Sequence, residues 1–163
     1  MAIGPFTYRV RDLAGTERLG QALAQGLPEG SVVALDGPLG AGKTRLVQAI
    51  AAACGVDRRD VVSPTFVLVH EYQGRRPIIH IDAYRIRDDD EFLQLGTDEY
   101  FRRPNVTLVE WASRVVDCLP SERLEIAIGV LDGNERTFEI TARGAAYEKV
   151  VEQLRGELGM PQA

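Results

Sequence analysis

The chain has 163 residues and a formal net charge of −5; 45% of its residues are hydrophobic and 26% are charged. These values are typical of one globular domain with a sizeable core, so we expect a single domain over residues 1–163. The acidic balance argues against a domain that binds nucleic acid alone through a broad basic face.

No apolar run approaches the roughly 20 residues of a membrane span, and the N-terminus lacks the layout of a signal peptide. We therefore expect a cytoplasmic protein with no membrane partner. Cys54 and Cys118 lie far apart in helical patterns, which predicts buried, reduced thiols. The two histidines belong to no Cys/His cluster, which argues against a structural zinc site.

The first third of the chain predicts two strand–helix pairs. Residues 6–10 alternate and are β-prone, and residues 16–26 follow as a helix that ends near Gly26 and Pro28. Residues 31–36 form a short apolar run typical of a buried strand. A second helix is predicted over residues 45–54, with its apolar side chains on one face.

Hairpin signals follow in the middle of the chain. Residues 66–72 and 77–82 have a period of two and flank a loop that contains Gly74, which predicts a β-hairpin. The acidic run at 88–90 predicts the start of a short helix over residues 91–95.

The last third predicts a strand over residues 105–111, a second hairpin from 124–128 and 137–140, and a closing helix over 147–158. The turn of this hairpin is expected near residues 132–134. Strands that alternate with helices predict an α/β fold. We expect a three-layer sandwich whose central, mostly parallel sheet is extended by antiparallel hairpins.

Residues 37–44, GPLGAGKT, match the phosphate-binding pattern G-x-x-x-x-G-K-[ST] between a predicted strand and a predicted helix. In this arrangement backbone N–H groups and the positive end of the helix surround a polyphosphate. Lys43 would reach the β- and γ-phosphates, and the Thr44 hydroxyl would ligate Mg²⁺. The expected nucleotide-binding residues are Gly37, Pro38, Leu39, Gly40, Ala41, Gly42, Lys43, Thr44 and Arg45.

Two carboxylates, Asp82 and Glu110, end apolar strands and are candidates for catalysis together with Lys43. Alternation places Glu110 on the strand face of Val106 and Leu108, with Trp111 on the opposite face. A carboxylate at the end of a buried run is costly unless it meets a cation or hydrogen-bond donors. The alternative is that either side chain simply reaches water.

Three further residues are candidates for switching or partner contact. Ser63 and Thr65 lie in a loop whose hydroxyls would sense a γ-phosphate, although a simple proline turn into the hairpin is equally compatible. Trp111 would present a contact surface beside the site or belong to the core. Two roles remain open for Arg85 and Arg114. Each would either contact a phosphate or an acidic partner, or form a surface ion pair.

Five blocks of the sequence follow one another in order: GPLGAGKT (37–44), SPTF (63–66), HIDAYR (80–85), LGTDEY (95–100) and VEW (109–111). In this order and spacing they resemble the TsaE family of bacterial tRNA threonylcarbamoyladenosine synthesis. The resemblance runs from the phosphate-binding loop through Arg114. Departures from the family pattern fall at Pro38, Arg45, Ala83 and Ser113, and none of them removes a catalytic group.

The resemblance implies a small P-loop NTPase fold and an ATPase that uses ATP and Mg²⁺. Its partners would be the threonylcarbamoyl-transferase subunit and the paralogous partner of that subunit. This machinery modifies the adenosine at position 37 of tRNAs that read codons starting with A. The chain would therefore interact with tRNA indirectly, through the complex.

The resemblance also implies roles for single residues. Lys43 and Thr44 would keep their phosphate and magnesium roles, and Glu110 would be a magnesium-associated carboxylate. Asp82 would be the acidic residue tied to hydrolysis. The loop with Ser63 and Thr65 would act as a switch, and Trp111 would be a functional aromatic.

Other functions remain open at this point. A small-molecule kinase would need an acceptor pocket and usually an arginine-rich lid, and the segment after Glu110 predicts a hairpin instead. A GTPase commonly uses an Asn-Lys-x-Asp motif, and the chain has no Asn-Lys pair. A nucleotide-dependent binding module with little turnover would share the same phosphate-binding loop.

Overall fold

A seven-stranded β-sheet forms the centre of the structure, a computed structural model that describes residues 3–61 and 68–159. In chain order the strands are β1 (Phe6–Val10), β2 (Val32–Asp36), β3 (Val69–Tyr72), β4 (Ile78–Asp82), β5 (Val106–Glu110), β6 (Arg123–Val130) and β7 (Arg136–Arg143). Their spatial order is β1-β7-β6-β2-β5-β4-β3. Strands β6, β2, β5 and β4 run parallel, and antiparallel pairs extend the sheet on both sides. The predicted mostly parallel sheet with antiparallel hairpins is confirmed.

Helices cover both faces of this sheet. In chain order they are α1 (Leu13–Gly26), α2 (Lys43–Ala53), α3 (Asp89–Gln94), α4 (Thr97–Arg102) and α5 (Ala145–Leu158). Helices α1, α2 and α5 pack on one face, and α3 packs on the other beside a 3₁₀ segment, Ala112–Cys118. The predicted three-layer sandwich is confirmed.

The period of two along the central strands explains why the sheet has a core on each side. On β2, Val33 and Leu35 point to the face covered by α1 and α2, and Ala34 points to the opposite face. On β5, Leu108 likewise points to the face covered by α1 and α2, and Val109 points to the opposite face. Strands buried on both faces lose contact with water everywhere, which is why these segments are apolar throughout.

Several element boundaries differ from the sequence prediction. Helix α1 begins at Leu13 rather than at residue 16, because the Asp12 carboxylate accepts a hydrogen bond from the Gly15 N–H at 3.1 Å and caps the helix. Helix α4 and the 3₁₀ segment Ala112–Cys118 were not predicted. They are short and contain no long amphipathic repeat, which is the signal that identifies helices in a sequence.

The second hairpin, the cysteines and the lengths of the helices can also be compared with the described part of the chain. The second hairpin turns where expected, since the Glu135 N–H donates to the Asp132 carbonyl, although its strands are longer than predicted. Both cysteines are free thiols as predicted, but only Cys54 is buried; Cys118 is half-buried, so the prediction of burial is wrong for it. Among the described helices, none is long and apolar enough to cross a membrane.

Helices α1 and α2 approach each other closely at Gly20. A Cβ atom built on Gly20 would lie 2.4 Å from the Ala49 Cβ and 2.8 Å from the Ala49 carbonyl carbon. Glycine therefore sets the distance between these helices, and α2 carries the residues that follow the phosphate-binding loop.

We predict that Gly20→Ala lowers the free energy of unfolding by about 1–3 kcal/mol, because the added methyl overpacks the helix contact. The matched control is Gly156→Ala on α5, where an added Cβ meets open space. That variant should be stabilised by about 0.5–1 kcal/mol through the lower entropy cost of alanine in a helix. Urea unfolding measures both changes, and equal effects would contradict the close-approach argument.

Candidate nucleotide-binding site

The loop between β2 and α2 has the backbone geometry of an anion-binding site. Gly40 and Gly42 have φ angles of 79° and 110°, in the left-handed region that favours glycine. Gly42 is the N-cap of α2 and, as a glycine, provides no side-chain cap for its first N–H groups. The first N–H groups of α2 and the positive end of its dipole thus face the loop.

Lys43 folds back over its own loop. Its Nζ donates to the carbonyls of Gly37 at 2.6 Å and Pro38 at 3.1 Å, and it lies 3.9 Å from the centre of the Trp111 ring. Burial lowers the pKa of Lys43, and the neighbouring carboxylates, Glu110 first, act in the opposite direction. The ammonium is held at the mouth of the loop, where a phosphate would arrive.

Thr44 and Glu110 join α2 to the end of β5. The Thr44 hydroxyl lies 3.0 Å from each carboxylate oxygen of Glu110 and donates its hydrogen to them. Glu110 is only 2% exposed, so its carboxylate depends on protein donors for its hydrogen bonds. The alternative that Glu110 simply reaches water is wrong.

Asp82 lies beside Glu110 because β4 and β5 are parallel and the two residues are partners in register. Asp82 is 7% exposed, and its Oδ1 accepts a hydrogen bond from the Tyr84 N–H at 2.9 Å. The carboxyl ends of neighbouring parallel strands therefore place both predicted carboxylates at one edge of the sheet.

A cavity of about 400 Å³ brings most of these groups together. Its lining comprises Leu39, Gly40, Gly42, Lys43, Thr44, Arg45, Leu68, Asp82, Tyr84, Arg85, Glu110 and Trp111. It therefore contains the cation of the loop, the hydroxyl and both carboxylates. Among the residues that the structure describes, no group of three or more His, Cys, Asp or Glu side chains forms a cluster able to hold a metal ion.

Trp111 differs from its predicted setting. The strand ends at Glu110, and Trp111 has a φ of 58°, in the left-handed region, so the alternation of strand faces does not extend to it. Its ring is half-buried, lies against Tyr84 with 4.8 Å between ring centres, and covers Lys43. The Arg114 guanidinium lies 5.3 Å from the Tyr84 ring and 5.9 Å from that of Trp111. Trp111 thus lines the cavity and also packs, partly buried, against the core on the other face of the sheet.

Comparison with known proteins gives an independent observation. A family model described as "Threonylcarbamoyl adenosine biosynthesis protein TsaE" matches residues 10–138. The chain belongs to the TsaE family.

Relatives of similar length support this membership of the TsaE family. The tRNA threonylcarbamoyladenosine biosynthesis protein TsaE of Bacillus subtilis is 41% identical over 140 residues, covering 85% of this chain and 87% of that protein. The protein of the same name from Treponema pallidum is 38% identical over 125 residues, covering 76% and 92%. A crystal structure of Bacillus subtilis YdiB matches with a TM-score of 0.82 and 34% identity, covering 96% of this chain and 97% of that one.

The TsaE resemblance noted in the sequence is therefore confirmed, while the roles of single residues stay predictions. The structure places Lys43, Thr44, Asp82, Glu110 and Trp111 around one cavity. The proposed switch residues Ser63 and Thr65 lie outside the described residues.

The sequence patterns did not predict the buried residues that contact Glu110 on the side away from the cavity. His80 Nε2 lies 2.5 Å from Glu110 Oε2, and its Nδ1 lies 3.2 Å from the Tyr72 hydroxyl. Tyr72 in turn lies 3.2 Å from His70 Nδ1. One signal was available: His80 is a polar residue inside the apolar run of β4, at the same parity as Asp82.

A second cavity, of about 630 Å³, lies on the other side of the loop and shares Gly40, Gly42 and Arg45 with the first. Its other walls come from the start of α1, from Ala41 of the loop and from the β6–β7 hairpin. They comprise Asp12, Leu13, Ala14, Thr16, Ala41, Asn134, Arg136 and Phe138. The Arg136 Nε donates to the Ala41 carbonyl at 3.0 Å and ties the hairpin to the loop.

We predict an energetic coupling between Lys43 and Trp111 in the nucleotide-free protein, because an ammonium over an indole ring is attracted to its π face. A double-mutant cycle of Lys43→Met and Trp111→Leu, measured by denaturant unfolding, should give a coupling of about 0.5–2 kcal/mol. The control cycle replaces Lys43→Met by Lys149→Met, at the exposed second lysine of the chain. A coupling of zero in the first cycle, or equal couplings in both, would contradict the contact.

Proposed function

We propose that this chain is a small ATPase that binds and hydrolyses ATP with Mg²⁺ and so supports formation of threonylcarbamoyladenosine at position 37 of tRNAs that read codons starting with A. The observation that carries the proposal is the Thr44–Glu110 contact, 3.0 Å long, beside Lys43 in one cavity. A hydroxyl and a carboxylate at the end of a phosphate-binding loop are what metal-assisted phosphoryl transfer requires.

The loop and Lys43 would bind the phosphates. The N–H groups at the start of α2 would donate to phosphate oxygens, and Lys43 Nζ would exchange the carbonyls of Gly37 and Pro38 for the β- and γ-phosphates. Arg45 lines both cavities and would lie near the phosphates from the second side.

Thr44 and Glu110 are the residues that would hold Mg²⁺. Both offer hard oxygen atoms, which this ion prefers, and magnesium in nucleotide sites uses one or two protein ligands together with phosphate. The Thr44 hydroxyl donates its hydrogen to Glu110 and keeps lone pairs for a cation. When bound, the ion would neutralise charge that develops on the phosphate oxygens.

Asp82 would orient the attacking water. It lies one strand away from Glu110 and lines the same cavity, so a water between the two carboxylates would face a bound γ-phosphate. Its Oδ1 accepts a hydrogen bond from the Tyr84 N–H, which holds the carboxylate at the wall of the cavity.

The second cavity would hold the adenosine part of the nucleotide. It adjoins the phosphate-binding loop, and its walls combine apolar groups, Leu13 and Phe138, with polar ones, Thr16 and Arg136. A mostly apolar pocket with a few polar groups is typical of sites for a nucleobase.

The names of the relatives support the link to tRNA modification, since those proteins are described as tRNA threonylcarbamoyladenosine biosynthesis proteins. We further propose that the chain works with the threonylcarbamoyl-transferase subunit and its paralogous partner, and meets tRNA through that complex in the cytoplasm. The net charge of −5 fits a role in which other subunits hold the nucleic acid.

We predict that Glu110→Ala lowers kcat for phosphate release from ATP by about 100-fold or more, because the magnesium site loses several kcal/mol of charge stabilisation. Lys43→Ala should instead weaken ATP binding by about 10-fold or more, since charged hydrogen bonds to phosphate are lost. Each assay is run with the chain alone and with the transferase pair added.

The matched controls are Glu139→Ala and Lys149→Ala, which remove exposed side chains on β7 and α5. Both should behave as the wild type. Unchanged turnover of Glu110→Ala would refute its role. Tight ATP binding without phosphate release, even with the transferase pair, would favour the binding-module function instead.

We predict that Asp82→Asn loses hydrolysis while ATP affinity stays within about threefold, because water orientation acts on the chemical step and not on ground-state binding. Asparagine keeps an oxygen for the Tyr84 N–H, so the turn after β4 is preserved. Calorimetry and a rate assay together test this separation. A collapse of ATP affinity in Asp82→Asn would overturn it.

A further inference from the structure

We propose that His80 is a positioning residue that holds the Glu110 carboxylate in place, and that the Tyr72 hydroxyl fixes the tautomer in which His80 does so. The inference rests on the proposed function, in which Glu110 serves the magnesium site. Neither His80 nor Tyr72 lines the cavity, so both would act through Glu110.

Burial makes this contact obligatory. His80 is 0% exposed, Glu110 2% and Tyr72 7%, so their polar atoms are withdrawn from water and need hydrogen-bond partners within the protein. A buried carboxylate without donors would carry a cost of several kcal/mol. Glu110 accepts hydrogen bonds from two donors. The Thr44 hydroxyl lies on the side of the cavity, and the His80 ring lies on the side of the core.

The direction of each hydrogen bond follows from the donors and acceptors present. A carboxylate only accepts, so the ring nitrogen of His80 that lies 2.5 Å from Glu110, Nε2, carries the hydrogen. In a neutral ring Nδ1 is then an acceptor, and it receives the Tyr72 O–H at 3.2 Å. The Tyr72 oxygen in turn accepts from His70 Nδ1 at 3.2 Å. With a neutral His80 ring, each contact in this series pairs one donor with one acceptor.

The sheet itself builds the chain of contacts. His70 and His80 are direct partners across the antiparallel β3–β4 pair, and Glu110 lies on the next strand, β5. Residues of equal parity share one face of a strand, so Tyr72, His80 and Glu110 all point toward α2. The network therefore crosses three neighbouring strands, from the edge strand β3 to the hydroxyl of Thr44.

Two donors at fixed positions remove the rotational freedom of the Glu110 carboxylate. Both of its oxygens then lie 3.0 Å from Thr44 Oγ1 before any ligand arrives. Outer contacts of this kind orient metal ligands, and their loss typically costs 10–100-fold in metal affinity or activity. His80 would thus set the affinity for magnesium without touching the nucleotide.

The test compares substitutions that place an amide nitrogen at different points of the ring. In His80→Gln the amide nitrogen is separated from Cβ by as many bonds as Nε2, so a donor toward Glu110 is kept. In His80→Asn the amide group corresponds to Nδ1 and reaches only toward Tyr72. Both variants are polar, so they differ mainly in the neighbour with which the amide group can form a hydrogen bond: Glu110 for glutamine and Tyr72 for asparagine.

We predict that His80→Asn raises the Mg²⁺ concentration for half-maximal phosphate release by about 10-fold or more, while ATP affinity without Mg²⁺ changes by less than about threefold. His80→Gln should stay within about threefold of the wild type in both measurements. Tyr72→Phe keeps the shape of the side chain and removes only the hydroxyl. It should raise the Mg²⁺ requirement by an intermediate factor, because the ring loses the partner that fixes its tautomer.

A spectroscopic measurement tests the tautomer without nucleotide. The chain has two histidines, and both belong to this network, so ¹⁵N-histidine labelling gives two ring systems that a His70→Asn variant assigns. The His80 ring should show a protonated Nε2 and an unprotonated Nδ1 in the folded wild type. In Tyr72→Phe the signature should change toward the mixed population of a free imidazole.

The outcomes separate this inference from the proposed function. If the wild type hydrolyses ATP but His80→Asn keeps a normal Mg²⁺ requirement, or if Nδ1 carries the hydrogen, the inference is overturned and the ATPase function stands. If the wild type binds no nucleotide, the ATPase function fails, and with it the role of His80 toward magnesium. Glu71→Gln, on β3 with a half-exposed side chain that pairs with Arg103, is the matched control and should match the wild type throughout.

Discussion

The hydrogen bond between Thr44 and Glu110 is the contact on which the rest of the site depends. It joins the first turn of α2 to the end of β5, two elements that are far apart in the sequence and are brought together only by the parallel sheet. The loop, the lysine and the neighbouring carboxylate are arranged around it. The close contact at Gly20 fixes the spacing of α1 and α2, and α2 is the helix that carries Thr44.

A series of hydrogen-bonded polar side chains, His80 and Tyr72, connects Glu110 to the core of the protein. In most of the sheet, residues that face α2 are aliphatic, but along one line across β3, β4 and β5 they are tyrosine, histidine and glutamate. Buried polar groups of this kind stabilise a structure only if each is satisfied. Here each contact can pair a donor with an acceptor, so these residues fix a geometry rather than adding hydrophobic stability.

Much of this architecture could be predicted from the sequence. The phosphate-binding loop, the strand that precedes it and the carboxylates at two strand ends are local patterns with a physical meaning, and the structure places them as expected. Contacts across strands could not be predicted in the same way. The pairing of His80 with Glu110 depends on register, and the position of Trp111 depends on a left-handed backbone turn that no periodicity indicates. Short elements such as α4 also lack a repeat long enough to be recognised.

The position of Lys43 has a consequence for kinetics. Its ammonium already engages two carbonyls of its own loop and the face of an indole. In the proposed function, an incoming triphosphate would therefore displace these partners, and the net gain from this residue would be the difference between the two sets of contacts. The lysine would regain its former partners as the phosphates leave. On this proposal, the exchange would favour repeated turnover over long residence of the nucleotide.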